Sequence, residues 1–129
     1  MHVQIITFGW GHPEGAPQAD ILIDLRRHFR DPHVSPQMRY MTAHDQLVYD
    51  TVMGTAGIGE VLDGLEAMTL GYLAGPSVDR AGGTTVGVGC AGGRHRAAVV
   101  GAELERRLRA RGVEVELVHR DLAKDVVHR

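Results

Sequence analysis

The stretch Gly89-Cys90-Ala91-Gly92-Gly93-Arg94-His95-Arg96 constrains this chain more than any other. Small and β-branched residues lead into it, Thr84 to Val88, and a long helical pattern leaves it, Ala97 to Arg111. A strand, a glycine turn and a helix start in that order form an anion cradle. The glycines let several backbone N–H groups face one spot, and the helix adds its positive dipole end. Arg94, His95 and Arg96 bring side-chain charge to the same place.

What the cradle can serve is bounded by the rest of the chain. It has 129 residues, one domain's worth, and 43% are hydrophobic. That is enough apolar material for a real core. The net charge is −2, so any basic surface is local. A single cysteine excludes an internal disulfide and fits a reducing compartment. The start, Met1-His2-Val3-Gln4, has no basic, apolar leader, and no apolar run nears the ~20 residues of a membrane span. A cytoplasmic protein with no membrane partner is expected. Arginine outnumbers lysine thirteen to one, so most cations here can grip an oxyanion bidentately.

In chain order, Val3–Phe8 reads as a buried central strand and Ile21–Ile23 as a second, short one. Residues 27–41 have no period and read as a long loop, a feature that is often functional. Thr42 is expected to cap a helix with Asp45 near N3, burying Leu47, Val48 and Val52 and stopping at Gly54. A second helix spans residues 58–73, with Ile58, Val61, Leu62, Leu65, Met68 and Leu73 on one stripe. Close packing against a sheet would explain its glycines at 59, 64 and 71. Residues 75–83 form a turn region. The last helix buries Ala97, Val100, Leu104 and Leu108 and ends at Gly112. Residues 113–117 alternate as a strand near a sheet edge, and residues after Leu122 are expected to fray.

The order β-β-α-α-β-α-β, closing on a right-handed parallel unit, predicts a small α/β domain. Its sheet would be four-stranded and mainly parallel, packed with about three helices. Each strand then ends on polar or glycine-rich residues: Trp10 and His12, Asp24 and Arg26, Cys90 to Arg96, and His119 and Asp121. With the strands parallel these groups share the edge where open α/β sheets bind ligands.

Other chemistries leave weaker marks. Cys90 and Arg96 have the Cys-x5-Arg spacing of the cysteine phosphatases, with Asp24, Asp31 or Asp121 as the acid. Gly89 precedes the cysteine and Ala97 follows the arginine, so the usual histidine and hydroxyl are missing. Cys90 is the better read as a small residue beside a ligand. The chain has no G-x-x-x-x-G-K-[ST] and no G-x-G-x-x-G, which removes the common nucleotide-binding loops. Its eight histidines show no metal-site spacing, and no metal or cofactor is expected. The run Glu103–Arg111 suits RNA contact, but reads better as a solvated helix face.

Gly89 to Val99 also resembles the Gly-Cys-Thr-Gly-Gly-x-His-Arg-Ser-Val signature of the RapZ C-terminal domain family. Ile5–Gly9, Ala19–Arg26, Asp31-Pro32, Thr42 with Asp45, and Val118–Asp121 match further family motifs in order. The resemblance implies a small α/β fold like the sugar-phosphate-binding part of phosphofructokinase. It further implies glucosamine-6-phosphate binding, an RNA-adapter role and oligomer formation, which makes a homodimer the assembly to test. No counterpart of the family's P-loop NTPase domain is expected within these 129 residues. Ala91, Arg94 and Ala97 depart from the signature, and residues 122–129 lack its basic tail.

Together these readings predict a non-catalytic domain that binds a phosphorylated small molecule, an amino-sugar phosphate by the resemblance. Its ligand would be held by Cys90, Ala91, Gly92, Gly93, Arg94, His95 and Arg96. Trp10, His12, Asp24, Arg26, His119 and Asp121 would shape the sugar side. An RNA-binding or protein-adapter domain is the alternative.

Overall fold

The structure, a computed structural model, describes residues 2–128. Its elements run β1 (His2–Gly9), β2 (Ile21–Asp24), α1 (Gln46–Met53), α2 (Ile58–Leu73), α3 (Val78–Ala81), β3 (Thr84–Cys90), α4 (Arg96–Ala110) and β4 (Glu114–His119). A 3-10 turn, Pro32–Val34, interrupts the long loop. The sheet order is β2-β3-β1-β4 and every pairing is parallel. The predicted α/β class, with its four-stranded parallel sheet, is therefore what the chain adopts. No helix among the described residues is long and apolar enough to cross a membrane.

Val3, Ile5 and Thr7 of β1 are fully buried against the helical layer, while Gln4 and Ile6 on the other side of the strand are only half-buried. α4 packs across β3, β1 and β4, and α2 packs on β3 and α4. Handedness accounts for this asymmetry. The connections β2→β3 and β3→β4 run one way along the sheet and carry helices. The connection β1→β2 runs the other way, so a right-handed path takes it over the opposite face. It is a helix-free loop there, with Ala19, Leu22 and Phe8 filling the space above Gly87.

The helices differ from their sequence patterns in instructive ways. α1 begins three residues later than expected, with Asp45 at its N-cap in place of Thr42. Thr42 and Asp45 do pair, through Thr42 N–H to Asp45 Oδ2 at 2.9 Å and His44 N–H to Thr42 Oγ1 at 3.2 Å, but in a turn ahead of the helix. Leu47 and Met68, expected in the core, are exposed. The glycines of α2 face open space and not the sheet. The helix glycine that lets elements approach is Gly101 of α4, where a Cβ would lie 2.3 Å from Thr7 Cγ2.

Carboxylates tie the helical layer together. Tyr49 of α1 donates to the buried Glu103 of α4 at 2.6 Å. Arg107 of α4 reaches Asp63 of α2 at 2.7 Å, Arg111 pairs with Glu66, Arg109 with Glu105 and Arg106 with Glu103. Arg106, Arg107 and Arg109 at the C-terminal end of α4, and Arg111 that caps it, thus each have a carboxylate partner, as expected of a solvated structural face.

Gly101→Ala is expected to lower unfolding stability by about 1–3 kcal/mol through overpacking against Thr7. Gly64→Ala, in open space at helical φ, should raise it by up to about 1 kcal/mol. Urea denaturation of the two variants checks both signs.

Candidate anion site

The four strand ends meet on one edge, and backbone contact between glycines brings them close. Trp10 N–H donates to Cys90 C=O at 3.0 Å and Gly11 N–H to Ala91 C=O at 2.9 Å, extending the β1–β3 pairing into the turn. A Cβ on Gly9 would lie 2.3 Å from the Gly92 carbonyl carbon. A Cβ on Gly93 would meet the Gly9 nitrogen and Asp121 Cβ at 2.9 Å, and its φ of +79° is itself a glycine conformation. Glycine is therefore required at both positions.

Asp121 fixes this crossing from β4. Its carboxylate has no exposure and accepts from Gly9 N–H at 2.7 Å. Arg120 and Lys124 bind it at 2.8 and 2.7 Å. Burial works to raise its pKa, but the hydrogen bonds from Arg120, Lys124 and Gly9 outweigh burial and lower it to about 2.

Cys90 is buried and its Sγ accepts from Gly93 N–H at 3.3 Å and Ala97 N–H at 3.4 Å. The sulfur thus sits inside the turn and uses two of its donors. Among the described residues the amides of Gly92, Arg94, His95 and Arg96 have no hydrogen-bond acceptor. Gly92, His95 and Arg96 are buried, and buried backbone donors without a partner are rare.

The cationic side chains are deployed differently from the sequence expectation, because the long loop claims them. Arg96 is buried, and its Nη1 donates to the carbonyls of Leu25 and Arg26 at 3.0 Å and of Phe29 at 3.3 Å. Its Nη2 pairs with Asp31 at 3.2 Å. His95 Nε2 lies 3.0 Å from Met38 C=O and 2.9 Å from Met41 C=O. Two carbonyls can only accept, so the ring carries its proton on that nitrogen. Arg94 donates to Tyr40 C=O at 2.7 Å and Lys124 C=O at 2.9 Å. Among the described residues Arg94 and Arg96 each keep a buried Nε–H without a partner.

On the outer side, His12 Nε2 lies 3.2 Å from Gly92 C=O. Trp10 packs edge-on to Phe8 at 4.6 Å, and its ring crosses above Gly89, where a Cβ would be 2.4 Å from Cζ3. Arg26 stacks on Trp10 at 4.0 Å and forms a two-bonded pair with Asp24. His119 stands apart on the helical side, 2.7 Å from Thr7 Oγ1 and edge-on to His44. Lys124, Glu14, Tyr40 and Val127 were not singled out by sequence, although Lys124 is the sole lysine. Residues 123–128, expected to fray, pack instead beside Arg94 and Gly11.

The candidate phosphatase acids are all engaged. The pair with Arg26 holds the Asp24 carboxyl below its ordinary value, and Asp121 is lowered as described above. Neither is poised to donate a proton near neutral pH. Among the described residues no group of three or more His, Cys, Asp or Glu could hold a metal ion.

Asp121 contributes about 2 kcal/mol that is present above pH 4 and lost as pH falls through about 2, because its folded pKa lies below the ordinary 3.8. Asp121→Asn should therefore cost about that much at pH 7 and progressively less as pH is lowered from 4 through 2, measured by urea denaturation. Burial lowers the pKa of His95 and of His119 below 6.5. The unfolded chain then binds more protons, so stability should decline as pH drops below 6.5, with a shallower slope in His95→Gln.

A family model of the RapZ C-terminal domain matches residues 1–123. A nucleotide-binding protein of Thermobifida fusca is 34% identical over 126 residues, which cover 97% of this chain and 42% of that protein. A nucleotide-binding protein of Corynebacterium efficiens is 40% identical over 126 residues, covering 96% of this chain and 39% of its own length. The chain spans about two-fifths of the length of these relatives. The glycine turn, the strand-end groups and the matched length agree: this chain belongs to the RapZ C-terminal domain family.

Proposed function

We propose that the turn at residues 91–96 binds the phosphate group of a phosphorylated small molecule without turning it over, and that the molecule is an amino-sugar phosphate. The observation that carries this reading is the set of four acceptor-free amides at Gly92, Arg94, His95 and Arg96, three of them in buried residues. They lie where α4 begins, and an anion there would satisfy them together. The unpaired Nε–H groups of Arg94 and Arg96 are further donors.

In this reading Ala91 and Cys90 keep the turn small, and Asp121 holds it against β1. Trp10, stacked by Arg26, offers an apolar ring face to the sugar, with His12 and Asp24 as hydrogen-bonding groups at its border. His119, bonded to Thr7, lies behind the site and supports β1 beneath it. RNA binding has less support, since the arginines of α4 already have carboxylate partners.

Calorimetric titration with glucosamine 6-phosphate, glucose 6-phosphate and inorganic phosphate tests this. Binding of all three is expected, tightest for the amino sugar. It should be lost in Gly92→Asp, which adds a negative charge where the nearest side chain leaves 4.0 Å for a Cβ. No heat from any of the three at millimolar concentration would refute the reading. Aryl-phosphate turnover that disappears in Cys90→Ser would refute its non-catalytic part.

A further inference from the structure

The segment that follows Asp121 lies against the proposed anion turn. Val127 fills the space beside Gly11, where a Cβ would come within 2.6 Å of Val127 Cγ1, and it is 4.0 Å from the corresponding point on Gly92. Lys124 is anchored by Asp121 at 2.7 Å and by Glu14 of the β1–β2 loop. Its carbonyl accepts from Arg94 Nη1 at 2.9 Å. Between this segment and the long loop is an open cavity of about 360 Å³, lined by Tyr40, Arg94, Lys124, Asp125, Val126 and His128.

These contacts use the same groups that an anion would draw on. Arg94 spends a donor on the Lys124 carbonyl, and Lys124 spends its charge on two carboxylates. Val127 occupies the outer flank of the turn. Among the described residues the contacts of the segment are made by Val127 and by Lys124 through its side chain, N–H and carbonyl, and Glu14 and Lys124 are both partly exposed.

We propose that residues 123–128 are an autoinhibitory strap, which an anion entering the turn displaces by competing for Arg94 and Lys124. The proposal rests on the anion-site reading above. It adds that the closed strap lowers affinity, since only the open fraction binds.

The sole lysine supplies a direct readout. Lysyl endopeptidase can cut the full chain only after Lys124, so its rate reports strap opening, with a free peptide spanning residues 120–128 as the protease control. Phosphate and glucosamine 6-phosphate should each accelerate cleavage saturably and several-fold. Val127→Ser, which removes the apolar contact without adding charge beside the turn, should be cut about tenfold faster without anion and bind anion about tenfold more tightly by calorimetry. Glu14→Gln, at an exposed position, should shift both measurements the same way and replaces Val127→Ser should that variant fail to fold.

Anion binding that leaves cleavage unchanged or slows it, with unaltered affinity in both variants, overturns the strap and leaves the anion site standing. Absence of anion binding in the wild type and both variants overturns the site and the strap together.

Discussion

A carboxylate sealed from solvent holds the ends of β1 and β4 and the turn after β3 in one place. Asp121 accepts the Gly9 amide, and Gly9 in turn lies against Gly92 and Gly93. Without that bond the β1 end would have a buried, unpaired N–H and the turn would lose the surface it rests on. Two cations make the burial tolerable, since an unpaired carboxylate in such a place would cost far more than the bond returns. Arg120 reaches from Asp121 to Gly15 C=O at 2.7 Å, and Lys124 reaches to Glu14. One side chain thus links three strand ends to the β1–β2 loop and to the residues that follow β4.

Much of this was legible in the sequence because it follows from pattern. Val3–Phe8 and Thr84–Val88 could be nothing but buried strands, and Gly112 marked the end of α4. The meeting of polar residues at one edge needed only that the strands be parallel, and they are. What could not be read was the use made of each side chain. Arg94, His95 and Arg96 in a row beside glycines suggest charge for a ligand. Whether a guanidinium points to a ligand or to a carbonyl 70 residues away depends on the path of the loop, which has no period to reveal it. Met68 and Leu47 fall on apolar stripes, yet both are exposed. The glycines of α2 invited a packing explanation that belonged to Gly101 instead.

The two faces of the sheet show how a topological rule limits what a short chain can cover. The β1→β2 connection crosses alone on its face and has only about ten residues, too few for a helix as well as the crossing. Parallel sheets are commonly covered on both sides. Here the helical layer covers one side, and the loop that carries His12 and Glu14 crosses the other. That same shortness draws the loop back over the strand ends, so one economy of length places both residues at the edge of the candidate site.

Much of the hold on the long loop from Leu25 to Ala43 is through its backbone. Arg94, His95 and Arg96 bind the carbonyls of Leu25, Arg26, Phe29, Met38, Tyr40 and Met41, and Ala43 N–H returns a bond to Arg94 C=O. A carbonyl is the same whatever residue bears it. The three anchoring residues therefore fix much of the loop's path without reading its side chains, while Leu25, Phe29 and Met38 pack it on the core and Asp31 pairs with Arg96. The exposed positions between these anchors, such as Val34 and Tyr40, can diverge in sequence, and so change the chemistry at the rim of the site, without any change in the frame that supports it.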